Sequence, residues 1–227
     1  ALKLVFSELN KNTLCETLAS RGYLECLKYA REKGCLWDWN ACYYSAMHGH
    51  LDCLKYLHEN GCMMEFAAGV AAARNGHLDC LKYLHENGCP WNAETCLNAV
   101  RNGHLNCLKY LYENGCPWNS WTCVFAALGG HLDCLKYAHE NGCVWDTGTC
   151  ANAALYGHLE CLKYAHENGC QWGLNTCWNA AMCGYLDCLQ YACENGCPIP
   201  KKWMHVNQKC LAYVTFIERQ ARKIMKP

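Results

Sequence analysis

Residues 76–89 read Gly76-His77-Leu78-Asp79-Cys80-Leu81-Lys82-Tyr83-Leu84-His85-Glu86-Asn87-Gly88-Cys89, and this stretch returns, with small changes, seven times in the 227-residue chain. Its opening glycine falls at Gly22, Gly49, Gly76, Gly103, Gly130, Gly157 and Gly184, always 27 residues apart, and its closing glycine keeps the same step from Gly34 to Gly196. A fixed period of this size without insertions is the mark of a stacked repeat array, because one such unit cannot bury its apolar face alone.

Working outward from that stretch, each unit reads as two short helices. In the unit that starts at Trp91, Asn92 is placed to cap a helix over 93–101, since its side chain can accept from the free N–H groups of the first turn. Trp91 and Cys96 have the spacing of a hydrophobic staple, a pattern repeated at Trp37/Cys42, Trp118/Cys123 and Trp145/Cys150. Gly103 ends the helix by taking a left-handed conformation. A second helix follows over 104–113, with Leu105, Leu108 and Leu111 as its buried stripe and Asn114-Gly115 as its stop. Helices of about ten residues are marginal alone, which is why the units must stack. Residues 1–11 are expected to form an N-terminal cap or the end of a lost repeat, 12–200 the seven repeats, and 201–227 C-terminal capping helices, of which 209–225 read as one amphipathic helix with a basic end and a polar outer side. The whole of 1–227 is expected to form one repeat array. It begins at Ala1 rather than Met, so a further segment can precede it.

Bulk properties exclude several function classes. Lys+Arg and Asp+Glu are both 20, giving a formal net charge of zero and no global field to draw in nucleic acid or an anionic membrane. No run of 18 apolar residues suggests a membrane span, and no signal peptide is visible. Lys28, Lys55, Lys82, Lys109, Lys136 and Lys163 each lie near an acidic residue, so no basic stripe forms, and only Arg219, Arg222, Lys223 and Lys226 are locally basic.

Cysteine is the unusual number, at 23. Twenty of these follow the repeat, at the positions of Cys80, Cys89 and Cys96, with Gly69 standing in once at the third; Cys183, Cys193 and Cys210 are extra. Free Cys behaves as a small buried hydrophobe, and without a secretory signal the expected setting is a reducing cytoplasmic or other intracellular compartment.

The run Cys123-Val124-Phe125-Ala126-Ala127-Leu128-Gly129-Gly130-His131-Leu132-Asp133-Cys134-Leu135-Lys136-Tyr137 resembles the core of the ankyrin repeat. The resemblance covers about 12–200 and implies an all-α, ankyrin-like helical solenoid of about seven helix-turn-helix units with helical caps. Ankyrin units run to about 33 residues, so these are shorter, and the missing residues fall between Gly-Cys and Thr-Cys, where the family has its projecting β-hairpin. In this the chain is similar to the short-loop ankyrin-like repeats of giant DNA viruses and some protists. The three recurring Cys positions fall where the ankyrin pattern has Leu, Val and Ala, all core positions, which implies that the thiols pack the core.

A sharper chemistry competes with that reading. The middle units carry His-x2-Cys-x4-His-x3-Cys, as at His77, Cys80, His85 and Cys89, a mixed set that resembles zinc ligation. Tyr23, Arg31, Tyr112, Tyr185 and Cys193 break the set in three units, and the His after the Gly already belongs to the family pattern. No metal and no cofactor is therefore expected, and no catalytic constellation, because every Cys–His pair is copied along the array with no unique pocket.

What remains is a surface. By resemblance to ankyrins, positions two and five after the third-position Cys, the next residue along, and the helix starts point into a concave groove. The candidates are Trp39, Tyr44, Met47, Arg74, Asn98, Arg101, Trp121, Phe125, Leu128, Asn152, Tyr156 and Asn179, with Phe66 at a further helix start. Aromatics and Arg mixed with Asn are the composition of a protein-binding face. The expected function is a non-catalytic, monomeric scaffold that binds another protein there, with no role for nucleic acid or membrane. The alternatives are a thiol-rich metal or redox array, and a structural, self-assembling repeat.

Overall fold

The computed structural model describes residues 11–200 and 202–224, with side chains for 13–200 and 202–220. Among the described residues there are fifteen α-helices and no strand. The expectation for residues 1–11 lies outside them except at Lys11, where the first described helix begins. The chain divides into two compact units, Ala1–Pro117 and Trp118–Pro227. The first holds four helical hairpins: Lys11–Ser20 with Leu24–Glu32, Trp39–Met47 with Leu51–Glu59, Phe66–Arg74 with Leu78–Glu86, and Ala93–Arg101 with Leu105–Glu113. The second holds three, Ser120–Gly129 with Leu132–Glu140, Thr147–Tyr156 with Leu159–Glu167, and Leu174–Cys183 with Leu186–Glu194, followed by a longer helix, Gln208–Ile224. Within each unit the first helices of successive hairpins pack on one another more closely than the second helices do.

The local signals act as their chemistry requires. Asn92 accepts from the Glu94 N–H at 3.0 Å, and its own N–H reaches the Thr95 hydroxyl, completing a capping box. Asp38, Asn119 and Asp146 accept from the second helical N–H in the same way. On the second helix the buried stripe is Cys107, Leu108 and Leu111. Leu105 is only half-buried, a correction to the expected spacing-of-three stripe, because the first residue of the second helix sits beside the connecting turn, at the edge of the hairpin. The segment from the second helix to the next hairpin forms no strand, so the family's projecting fingers are reduced to short loops.

The staple tryptophans take ring partners that their spacing did not announce. Trp91 stacks on His85 at 3.7 Å and meets Tyr110 edge-on at 6.2 Å, while His85 Nδ1 bonds the Tyr110 hydroxyl at 3.0 Å. His139/Trp145/Tyr164 and His166/Trp172/Tyr191 repeat this arrangement. Where the His is replaced, the Arg31 guanidinium lies 4.1 Å over Trp37.

The other recurring His makes a second ladder. His50 Nε2 donates to the Ser20 carbonyl at 3.1 Å and His104 Nε2 to the Arg74 carbonyl at 3.0 Å, each ring lying against the opening glycine of the preceding repeat. Burial holds His77 below its ordinary value of 6.5, and His104, His48 and His50 push the same way against the hydrogen bond to the Met47 carbonyl. The folded state thus prefers the neutral ring. Above 6.5 both states are neutral and nothing is lost; as pH falls through that value the unfolded chain takes up the proton first and stability declines. Urea midpoints measured from pH 7.5 down to 5 are expected to fall, and less so in His77→Asn, the side chain that Asn207 supplies against Gly184. Equal slopes would rule His77 out as a source.

The repeating lysines divide by the length of the acid three residues before them. Beside Glu25 and Glu160, Lys28 and Lys163 form ion pairs at 2.8 and 3.1 Å. Where the acid is the shorter Asp, Lys55, Lys82 and Lys136 instead lie 5.7–5.8 Å over Tyr83, Tyr110 and Tyr164 of the next repeat.

The terminal helix Gln208–Ile224 was expected to close the core with a polar side. Cys210 and Val214 do bury against the last hairpin, but Leu211 and Phe216 are more than half exposed, so its outer face is not wholly polar. No described helix is long and apolar enough to cross a membrane.

Candidate functional site

The thiols carry the chemistry that competes with a binding surface. No disulfide links them, and all except Cys26, Cys183 and Cys193 are buried. Burial pushes Cys107 and Cys53 up to about 11 and Cys80 to about 12, which keeps them as unreactive thiols at neutral pH. Packing is not their whole role. Cys62, Cys89, Cys116, Cys143, Cys170 and Cys197 each donate, at 3.1–3.4 Å, to the carbonyl of the residue capping the previous first helix. The buried Thr122, Thr149 and Thr176 hydroxyls have no nitrogen or oxygen partner; each lies against one of these thiols, a soft and weak acceptor. The residues of the zinc-like pattern are dispersed: His77 turns to the Met47 carbonyl, His85 to a tyrosine and Cys89 to Glu65. Among the described residues no group of three or more His, Cys, Asp or Glu is placed to hold a metal ion.

The surface candidates all lie on first helices and none is buried. In the first unit, Trp39 meets Tyr43 edge-on at 6.1 Å and Tyr43 meets Tyr44 at 5.2 Å, forming an aromatic row. Next to it, a cavity of about 270 Å³ is lined by Tyr43, Phe66, Val70, Arg74, Glu94 and Asn98, which brings two candidates, Arg74 and Asn98, to one place. Tyr44 lines a separate recess with Glu16 and His48. Met47 is half-buried and Arg101 exposed at the far ends of their helices.

In the second unit Trp121 is 57% exposed and packs on Phe125 at 6.0 Å. Leu128 is half-buried one turn further on. Tyr156 stacks on His158 at 6.5 Å. The asparagines are partly committed to backbone: Asn98 and Asn152 donate to carbonyls one turn back, at Glu94 and Gly148, while Asn179 crosses to the Ala151 carbonyl of the neighbouring first helix at 3.0 Å. That last bond ties repeats together and leaves Asn179 less to offer a partner.

Sequence reasoning missed Tyr43, Val70 and Glu94. The signal was there: Trp39, Tyr43, Met47 and Phe66, Val70, Arg74 recur at every fourth residue, the spacing of one helix face, a row that positions two and five after the cysteine meet only at Met47 and Arg74.

Three comparisons bear on this arrangement. A family model for ankyrin repeats, in three copies, matches residues 16–95 and 69–148, more than half of the chain. The crystal structure of the human ASB11 ankyrin repeat domain superposes with a TM-score of 0.62 at 20% identity, covering 70% of this chain and 85% of that one, a likeness that speaks to fold alone. No curated protein matches the sequence. Stacked helical hairpins, left-handed glycines at both helix ends and the matched repeat model agree: the chain belongs to the ankyrin-repeat family.

Proposed function

We propose that this protein is a non-catalytic scaffold that binds another protein on the concave face formed by its first helices. Ankyrin repeats generally act as protein-interaction scaffolds. The observation that carries the reading is the set of exposed and half-exposed aromatics on first helices, Trp39–Tyr43–Tyr44 beside the Phe66/Arg74 cavity and Trp121–Phe125, on elements whose inner faces are sealed by Ala, Cys and other small residues. Large rigid rings next to Arg are the side chains that dominate binding energy at protein interfaces. Closer packing of the first helices within each unit favours a surface that curves toward them. Free thiols on this scale suit a reducing, intracellular setting.

The test is selection of binders from a displayed library of random peptides, followed by affinity measurement on variants. Tyr44→Ala and Trp121→Ala with Phe125→Ala are expected to leave the helical circular dichroism and melting temperature nearly unchanged. They should weaken the selected binders by about 1–2 kcal/mol, roughly five- to thirtyfold. Binders that are indifferent to these changes but lost on altering the exposed loop residues Leu36, Met63 or Val144 would move the site to the loop edge.

A further inference from the structure

The tenth residue of the repeated stretch, His85 in 76–89, is not uniform along the chain, and one departure brings two thiols together. His58, His85, His139 and His166 occupy one repeat position and each bonds a tyrosine of the following repeat. In the last repeat that position holds Cys193. Its sulfur lies 3.7 Å from Cys177 Sγ, across the hairpin from Leu174–Cys183 to Leu186–Glu194. Cys177 is fully buried, whereas Cys193 is partly exposed. Cys42, Cys96, Cys123 and Cys150 each have a thiol neighbour too, in Cys62, Cys116, Cys143 and Cys170, but those partners are buried, so a half-exposed partner is particular to Cys177. Cys96, Cys123 and Cys150 point at the backbone carbonyls of Cys116, Cys143 and Cys170. Cys197 also lies near Cys177, but it is buried and donates to the Gly173 carbonyl at 3.4 Å.

We propose that Cys177 and Cys193 form a peroxide-reactive dithiol that closes into a disulfide between the two helices of the last hairpin. The exposed member reacts first. The Cys193 thiolate attacks one oxygen of hydrogen peroxide, the O–O bond breaks, and the departing hydroxide takes a proton to become water, leaving Cys193 as a sulfenic acid. The Cys177 sulfur then attacks Cys193 Sγ; the S–O bond breaks, and the leaving hydroxide takes the Cys177 proton as a second water. Two thiols are oxidised by two electrons and one peroxide is reduced. The hydrogen bond from Cys177 holds the Cys193 thiol below its ordinary value, which raises the reactive thiolate fraction at the accessible end of the pair. The pair also sits where a bridge has reach. The same hairpin docks the C-terminal helix through the Asn207 N–H to the Ala181 carbonyl and Cys210 Sγ to the Ala180 carbonyl, so the bond would fix the support of that helix.

The experiment treats the folded full chain with a few equivalents of hydrogen peroxide, alkylates the remaining thiols, and maps peptides by mass. The expected result is a loss of two hydrogens per chain, located at Cys177–Cys193 and reversed by dithiothreitol. Cys183→Ser, which removes the exposed thiol nearby, should keep that bridge. Cys193→His, which restores the residue of the other repeats and so tests the pair without a cavity, should abolish it. A bridge to Cys197, chain-to-chain links through Cys183, over-oxidation of Cys193 with no bridge, or thiols untouched by peroxide would each overturn the proposal.

Discussion

Leu81→Ala is expected to destabilise the N-terminal unit by about 2–5 kcal/mol, the largest single-residue loss we anticipate outside the glycines. Leu81 is 1% exposed and lies in the continuous core of the first unit, with Cys80 and Leu84 beside it on its own helix. Truncation removes its transfer free energy and leaves a cavity that cannot collapse easily, because the hairpins on both sides hold the same position with Leu54 and Leu108, both fully buried. For a chain of this length each kcal/mol lowers the melting temperature by about 2–4 °C. The drop should therefore be plain in a thermal melt followed by circular dichroism. A shift within the scatter of surface mutants would refute the core assignment of the second helices.

Gly76→Ala is expected to cost about 3–5 kcal/mol, and Gly88→Ala only about 1–2 kcal/mol, though both glycines are left-handed, with φ of +75° and +80°. The shared part is the left-handed penalty of any side chain with a Cβ. The difference is what that Cβ would meet. At Gly88 there is nothing within 4 Å, whereas at Gly76 the added carbon would stand 2.5 Å from His104 Nδ1. The ring would have to swing away and give up its bond to the Arg74 carbonyl, itself worth about 1 kcal/mol. Measured by urea unfolding, the two variants should be clearly separated. Equal losses would mean that the histidine ladder yields without cost and contributes little to the stacking of repeats.

These predictions rest on features that differ in how visible they were. The step of 27 residues, the capping residues and the paired glycines are local chemistry, so helix bounds such as Ala93–Arg101 could be read from the sequence and were found where expected. The core role of the recurring cysteines followed from their alignment with apolar positions of the family, and their burial agrees. The surface site was only half legible. Arg74 and Asn98 do meet in one cavity, but Tyr43, Val70 and Glu94 complete it from positions that the repeat pattern did not single out. A repeat comparison highlights positions that vary; it does not say which variable positions of two adjacent helices face the same space.

By itself the sequence determined that this is a stack of short helix pairs, because period, caps and left-handed glycines act within one unit and need no distant partner. Only the tertiary structure decided what the polar atoms of each repeat do to the next. His104 and Arg74 are thirty residues apart, and His85 and Tyr110 twenty-five. Those contacts depend on how one hairpin sits against its neighbour, to within an ångström. The same His and Cys that look like a ligand set along the chain are turned, by that packing, toward separate partners, His85 in the adjoining repeat and Cys89 in its own hairpin.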